Sequence, residues 1–172
     1  MTFDDALRLD REGRMEDATL AYEALLSHDP RNVTAIVNLI VLYWQATDFG
    51  VSATRDLSTS FVARAGERLQ ELLASANERF AEDPQVWFWR KYIAWADLGV
   101  PLDVQDCRNM LRLRPEYLEP ALVLFSSSGG TEAEAEAAQL LNQCSQVGTA
   151  RCRYVTSVIQ GVLTRGGRPT PL

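Results

Sequence analysis

Histidine and lysine are nearly missing from this 172-residue chain: His28 and Lys91 are its sole representatives. One histidine cannot supply a zinc cluster or a catalytic triad, and no GxxxxGK phosphate loop or serine nucleophile elbow occurs. The three cysteines, Cys107, Cys144 and Cys152, are odd in number and lack CxxC spacing. They point to neither a disulfide framework nor a metal site and read as small buried residues in apolar helical patterns. Neither catalysis nor a cofactor is expected, and the metal-ligand set is empty.

Long apolar runs are missing too. Ala35 to Trp44 is the most apolar stretch, yet Asn38 interrupts it, and it falls well short of the roughly 18 residues that span a bilayer. The opening MTFDDALRLD is acidic from its fourth residue and has neither the basic nor the apolar region of a secretory leader. The expectation is a soluble cytoplasmic chain with no membrane partner. Net charge is −6 with a pI near 4.8, which disfavours attraction to phosphate backbones, so no nucleic-acid partner is expected and a basic protein is the easier fit. With 47% hydrophobic and 23% charged residues, the chain is globular and not disordered. Its length suits one domain, which would bury roughly 70% of its unfolded surface.

What is present is helical periodicity. Apolar residues recur at steps of three and four from Phe3 to Asp10 and from Met15 to His28, with Gly13 between them. Asp29 and Pro30 end that hairpin, because the residue before proline is pushed out of helical geometry. Val33 to Ala46 is apolar around nearly its whole circumference and must be buried on most sides. TDFGVSATRDLSTS then lacks a period and reads as a loop, with Ser58, Thr59 or Ser60 available as the next cap. Phe61 to Phe80 is the longest predicted helix.

Asp83 to Leu98 gathers three of the four tryptophans into one helix. Phe88, Trp89, Tyr92, Ile93, Trp95 and Ala96 form a broad apolar arc, and Trp87, Ala94 and Leu98 a narrower second stripe. After Gly99, Pro101 suits the first turn of a helix running to Pro115. Leu118 to Phe125 is a short apolar helix stopped by SSSGG. Thr131 with Glu134 is a capping-box signature for the helix that follows, whose buried face ends on Cys144. A last helix spans about Ala150 to Thr164. With no alternating strand pattern anywhere, the fold is predicted to be all-α with about nine helices, one helical domain over 1–164 and a flexible tail over 165–172.

Helix pairs punctuated at Pro30, Pro84 and Pro115 resemble tetratricopeptide repeats, helix-turn-helix units of roughly 34 residues carrying WxxLGxxY, AxxxF and P. In the first unit Ala18, Tyr22 and Gly13 fit the small, aromatic and turn-glycine slots, while Thr2 and Asp5 depart from the tryptophan and leucine slots. In the second, Ile36, Leu39 and Tyr43 fill the tryptophan, leucine and tyrosine slots, but the closing proline arrives about 20 residues late, which marks an insertion. Trp87 and Pro115 have the family's separation in the third, where Arg90, Lys91, Ala94 and Asp103 do not fit. Glu116 to Cys144 is a weaker fourth pair. Leu72 and Asp103 stand where small residues would let helices approach, and they imply wider crossings.

The resemblance implies a right-handed superhelix of antiparallel helix pairs, a TPR-like α-solenoid. Its groove-lining slots fall on Thr34, Val37, Val41, Trp44 and Gln45 in one helix and on Gln85, Phe88, Tyr92, Trp95 and Ala96 in another. Two placements stand for these side chains: an open partner-binding groove, or core covered by the segment around Phe49 or by the last helix. Trp87 occupies the motif's packing position and belongs to the core.

The function expected is a noncatalytic scaffold or adaptor that takes a peptide or helix of a partner protein on its aromatic face. The alternative is a dedicated chaperone or immunity-type protein. Its acidic surface, around Asp4, Asp5, Glu12, Glu16, Asp17, Glu132, Glu134 and Glu136, would hold one basic cognate protein. RNA binding through arginine and aromatic residues is a third reading, and the net charge opposes it. Arg151, Arg153, Arg165 and Arg168 form either an anion-binding end or a soluble cap.

Overall fold

The computed structural model describes residues 2–166, and among them it contains ten helices and no strand. They are α1 (Phe3–Arg11), α2 (Met15–His28), α3 (Val33–Thr47), α4 (Phe49–Thr54), α5 (Thr59–Phe80), α6 (Pro84–Leu98), α7 (Val104–Leu113), α8 (Pro120–Ser127), α9 (Glu134–Val147) and α10 (Ala150–Arg165). The all-α expectation holds. The chain divides into two compact units, Met1–Asp97 and Leu98–Leu172. Most of the expected tail, residues 167–172, lies outside the described residues.

Helix α3 is the centre of the first unit. Every residue from Ala35 to Trp44 is buried, and α2, α4 and α5 all pack against it. Asn32 starts it by accepting the Ala35 N–H at 3.0 Å, satisfying one of the donors a helix leaves open at its N-terminus. Helix α2 docks on α1 across a turn in which Gly13 adopts φ +76°. That positive φ favours glycine; a side chain there would also have to displace the Arg55 guanidinium, 2.7 Å away at the end of a flexible chain. Helix α5, started by Ser58, buries Phe61, Ala65, Leu69 and Ala76 along one stripe.

Three polar side chains are buried in this core: Asp10, Thr19 and Asn38. Asn38, 2% exposed, donates from Nδ2 to the Tyr22 hydroxyl at 3.0 Å, and Tyr22 donates to the buried Asp10 carboxylate at 3.3 Å. Three helices are thus joined by a chain of hydrogen bonds through one phenol. Thr19 donates to Met15 O at 2.8 Å, so each buried group has a partner, although Asn38 Oδ1 has none among the described residues.

In the second unit α8 plays the central part. Pro120 to Phe125 are all buried, and α7, α9 and α10 each pack on it. Glu119, at its N-cap, is 7% exposed and lies 3.4 Å from Arg151 of α10, while Tyr117 donates a hydrogen bond to its other oxygen. Gly148 in the left-handed region closes α9 by donating to Cys144 O at 3.0 Å.

Four local expectations need correcting. The segment after Ala46 is not a continuous loop: Asp48 accepts from Val51 N at 2.9 Å and starts the six-residue α4. None of the residues of α4 is buried, and Phe49 is 85% exposed, which is why hydrophobic periodicity gave no signal. Pro101 is not in a first turn, since Asp103 caps α7 by accepting the Gln105 N–H at 2.7 Å. Asp103 therefore sits at a helix end and not in a small-residue contact. Thr131 does not cap α9, because its hydroxyl donates to Ser128 O at 3.1 Å. The N-cap is Ala133 at φ 54°, with no side-chain hydrogen bond. Finally, Trp87 is only half-buried, with the Lys91 ammonium 4.6 Å from its ring centroid. Val86 and Trp89 fill the core instead.

The capping box that does form is at α1, where Thr2 N donates to Asp5 Oδ2 at 2.9 Å and Thr2 Oγ1 accepts from Asp5 N at 3.2 Å. These hydrogen bonds hold the Asp5 carboxyl below its ordinary range.

Replacing Tyr22 by Phe keeps the ring and removes the hydroxyl shared by Asp10 and Asn38. Leaving buried polar groups without that partner costs about 1–3 kcal/mol. Urea denaturation followed by far-UV circular dichroism should show that loss, and an unchanged midpoint would mean the hydrogen-bond chain contributes nothing.

Candidate functional site

The candidate residues on α3 and α6 are brought together, but mostly as core. Trp44 lies 6.3 Å from Trp89 and 6.1 Å from Tyr92 between ring centroids, in tilted and edge-on geometry. Phe88 stacks on Tyr92 at 5.5 Å and meets Trp89 edge-on at 5.6 Å. Offset and edge-on pairs are the arrangements ring quadrupoles favour. No helix runs close to the α6 backbone along its length. Ring side chains bridge from α6 to α3 where a backbone contact would otherwise lie.

Of the ten groove slots, Val37, Val41, Trp44, Phe88 and Tyr92 are buried, with Val37, Val41 and Phe88 wholly inaccessible. Thr34, Gln45 and Gln85 are half-buried, and Ala96 is exposed. Trp95 is the exception among the rings: it is 42% exposed, with its centroid 5.5 Å from that of Tyr92. The ring stack therefore runs from the buried Trp89 out to solvent at Trp95. At its rim the Trp44 indole N–H donates to Asp97 Oδ2 at 2.9 Å. That bond satisfies the polar end of a side chain that is otherwise core.

A second cluster in the first unit was not singled out by sequence. Tyr43 of α3 donates to Glu23 Oε1 of α2 at 2.8 Å, and Arg68 of α5 reaches the same oxygen from Nη2 at 2.7 Å. Arg68 also pairs with Glu71. These groups line a shallow depression of about 80 Å³ with Thr19, Leu20, Phe61 and Arg64. Tyr43 stacks on Phe61 at 5.9 Å. Burial, then the Glu23 hydrogen bond and charge, push the Tyr43 phenol up to about 12. The Glu23 hydrogen bond raises Arg68 still further above its ordinary value. Only Tyr43 gave a signal in sequence, as an aromatic in a repeat slot. Its partners lie 20 and 25 residues away on other helices.

In the second unit Cys144 lies on α9 and Cys152 on α10, two helices that pack on each other. Both are buried, as expected for core cysteines. Cys152 sits in the first turn of α10, its N–H donating to Thr149 Oγ1 at 3.3 Å. The neighbouring Cys144 thiol, helped by the Thr149 hydroxyl and the Arg151 charge, pulls the Cys152 thiol down against the opposing effect of burial. The neighbouring Cys152 thiol and burial push Cys144 up. An open pocket of about 340 Å³ is lined by Cys144, Ser145, Gly148, Arg153, Thr156, Ser157 and Gln160.

The charged residues are dispersed by their partners. Arg8 pairs with Glu12 at 3.0 Å, Arg14 with Asp17 at 2.8 Å, and Arg108 with Glu132 at 2.5 Å. Glu16 accepts the Ser58 N–H at 2.6 Å. The three of the four C-terminal arginines that are described do not gather at one end, since Arg151 and Arg153 lie in the first turn of α10 and Arg165 in its last. Arg151 lies against Glu119, Arg153 donates to Gly148 O and Arg165 to Gly161 O, and Arg168 is outside the described residues. Among the described residues no group of three potential ligands could hold a metal ion, and no helix is long and apolar enough to cross a membrane.

No family model, curated protein or solved structure matches the chain.

Replacing Trp44 by Ala empties the centre of the ring stack and should cost about 3–5 kcal/mol, read as a lower urea midpoint. Trp44→Phe, which keeps ring contacts and gives up only the bond to Asp97, should lose less than half of that. Equal losses would place the energy in the hydrogen bond. Stability should also fall with alkali between pH 10 and about 12, because Tyr43 keeps its proton in the fold above the pH at which the unfolded chain releases it. Tyr43→Phe should flatten that descent, and a descent of unchanged slope would assign it to other groups.

Proposed function

We propose that this chain is a noncatalytic protein-interaction scaffold built from tetratricopeptide-like helix pairs wound as a right-handed superhelix in the cytoplasm. A peptide or helix of a partner protein docks where the α6 ring stack meets solvent. The observation that carries this reading is Trp95, a large side chain 42% exposed at the end of a rigid, buried aromatic column. Tryptophan on a preorganised support offers wide contact area at little entropic cost, the property that makes it an interface anchor. Gln85, Gln45 and Thr34 are half-buried on the same two helices, Gln85 roughly three turns from Trp95 along α6.

The helix-pair part rests on the packing of α1 with α2, α3 with α5 and α8 with α9, the first, second and fourth of the repeat units read in the sequence. Helix α4 is the inserted element that lengthens the second pair. Burial of Val37, Val41, Trp44, Phe88 and Tyr92 narrows the docking surface from the whole set of groove slots to its rim. The acidic-surface alternative draws less support, because Glu12, Asp17 and Glu132 each already hold an arginine.

The test is affinity capture from the native cell with wild type and Trp95→Ala in parallel. That substitution removes a ring resting on Tyr92, so it should cost about 1–2 kcal/mol while leaving the fold intact, yet release the partner. If Trp95→Ala retains the same protein and only raised salt elutes it, the acidic surface holds the partner and the aromatic rim does not.

A further inference from the structure

Two recesses in the first unit are too small for more than about one side chain: about 80 Å³ beside Tyr43 and about 90 Å³ beside Arg79 and Phe80. The pocket between α9 and α10 in the second unit is different in size and in lining. Its volume of about 340 Å³ reaches the lower end of the roughly 300–1,000 Å³ that small-molecule sites occupy.

We propose that this pocket binds a small hydroxyl-rich organic anion, a sugar phosphate or a sugar acid, with the anionic group at Arg153 and the hydroxyls along Thr156, Ser157 and Gln160. Three observations carry the assignment. The first is spacing: these four lining residues of α10 follow one another at steps of three, one and three. They therefore share an arc of about 100° and a strip about 10 Å long on one helix face.

The second is where the hydroxyls turn. Elsewhere in these helices Ser and Thr side chains fold back on their own backbone, as Thr19 does on Met15 O, Ser27 on Ala24 O, Ser145 on Asn142 O and Thr164 on Gln160 O. The hydroxyls of Thr156 and Ser157 and the carboxamide of Gln160 have no such partner among the described residues, and all three residues line the pocket. Each of these groups can both donate and accept, which is what the hydroxyls of a sugar require.

The third is charge. In a chain of net charge −6, the pocket is lined by one guanidinium and no carboxylate. A hydrogen bond from Arg153 Nη1 to Gly148 O holds that guanidinium at the turn between the two helices. Arginine pairs with carboxylate and phosphate oxygens through its planar N–H groups, whereas a neutral sugar leaves the charge unused. No aromatic ring lines the pocket, so a nucleotide base would find nothing to stack on.

The experiment titrates the full chain with glucose-6-phosphate, gluconate, inorganic phosphate and neutral glucose at constant ionic strength and follows the backbone amide NMR signals. Both classes of sugar anion share the proposed chemistry, and the tighter of the two names the anionic group. Saturating shifts confined to the amides around Cys144–Gly148 and Arg153–Gln160 are expected for at least one of them, with inorganic phosphate weaker and glucose without saturation. Arg153→Gln should weaken the sugar anion at least about tenfold, the scale of a lost charge-assisted hydrogen bond. Because Arg153 also holds the turn, a second variant carries Thr156→Val with Gln160→Leu, two positions outside the core. It should weaken the sugar anion several-fold and leave inorganic phosphate unchanged. The proposal is overturned if neither sugar anion gives a saturating shift, if glucose or inorganic phosphate binds as well as they do, or if the double variant binds them like wild type. None of these outcomes bears on capture of a partner through Trp95.

Discussion

A helix that is apolar around its whole circumference has to be enclosed, and α3 imposes that condition on the first unit. Ten consecutive buried residues, Ala35 to Trp44, leave no side of this helix for solvent. Burying apolar surface contributes about 25 cal/mol per Å², so an uncovered flank would cost far more than the adjustments its neighbours make. Helices α2 and α5 cover it closely. On the remaining flank the gap is filled by indole and phenol rings projecting from α6.

That enclosure limits what the first unit offers a partner. Val37, Val41, Trp44, Phe88 and Tyr92, which would line an open groove, are spent as core, and the buried Asn38 beside them on α3 is held by Tyr22. What remains outside is the rim: Trp95 at the end of the ring stack, and Asp97, whose carboxylate accepts the Trp44 indole N–H. The same residues that hold α6 to the core therefore fix the position of its exposed end. Rigid support of an exposed aromatic is what separates a docking anchor from an incidental surface apolar group.

Helix α8 sets the corresponding condition in the second unit. Its six buried residues draw α7, α9 and α10 around it, and Glu119 at its start brings Arg151 inward. Burial is the largest influence on Arg151 and opposes its charge, but Glu119, Tyr117, Cys152 and Cys144 together outweigh it and hold the guanidinium above its ordinary value. Beside that ion pair on α10 stands Cys152, so the arrangement that closes the core also sets the electrostatics around that thiol.

Local pattern in the chain was enough for the helices whose stripes are strong. Asp29 with Pro30 ended α2, Ser58 started α5, and the largely apolar circumference of α3 announced its own burial. The short α4 escaped because nothing on it is buried, and Thr131 misled because a hydroxyl pointing at Ser128 O has the same sequence signature as one capping a helix. Side-chain periodicity reports which face of a helix is apolar, and apolar faces are covered equally by a partner or by the chain itself. Whether Trp44 or Trp95 meets water, and whether Tyr43 meets Glu23 and Arg68, depends on the distances between helices far apart in the chain. Tertiary packing alone settled those distances, because it must satisfy all the apolar faces together.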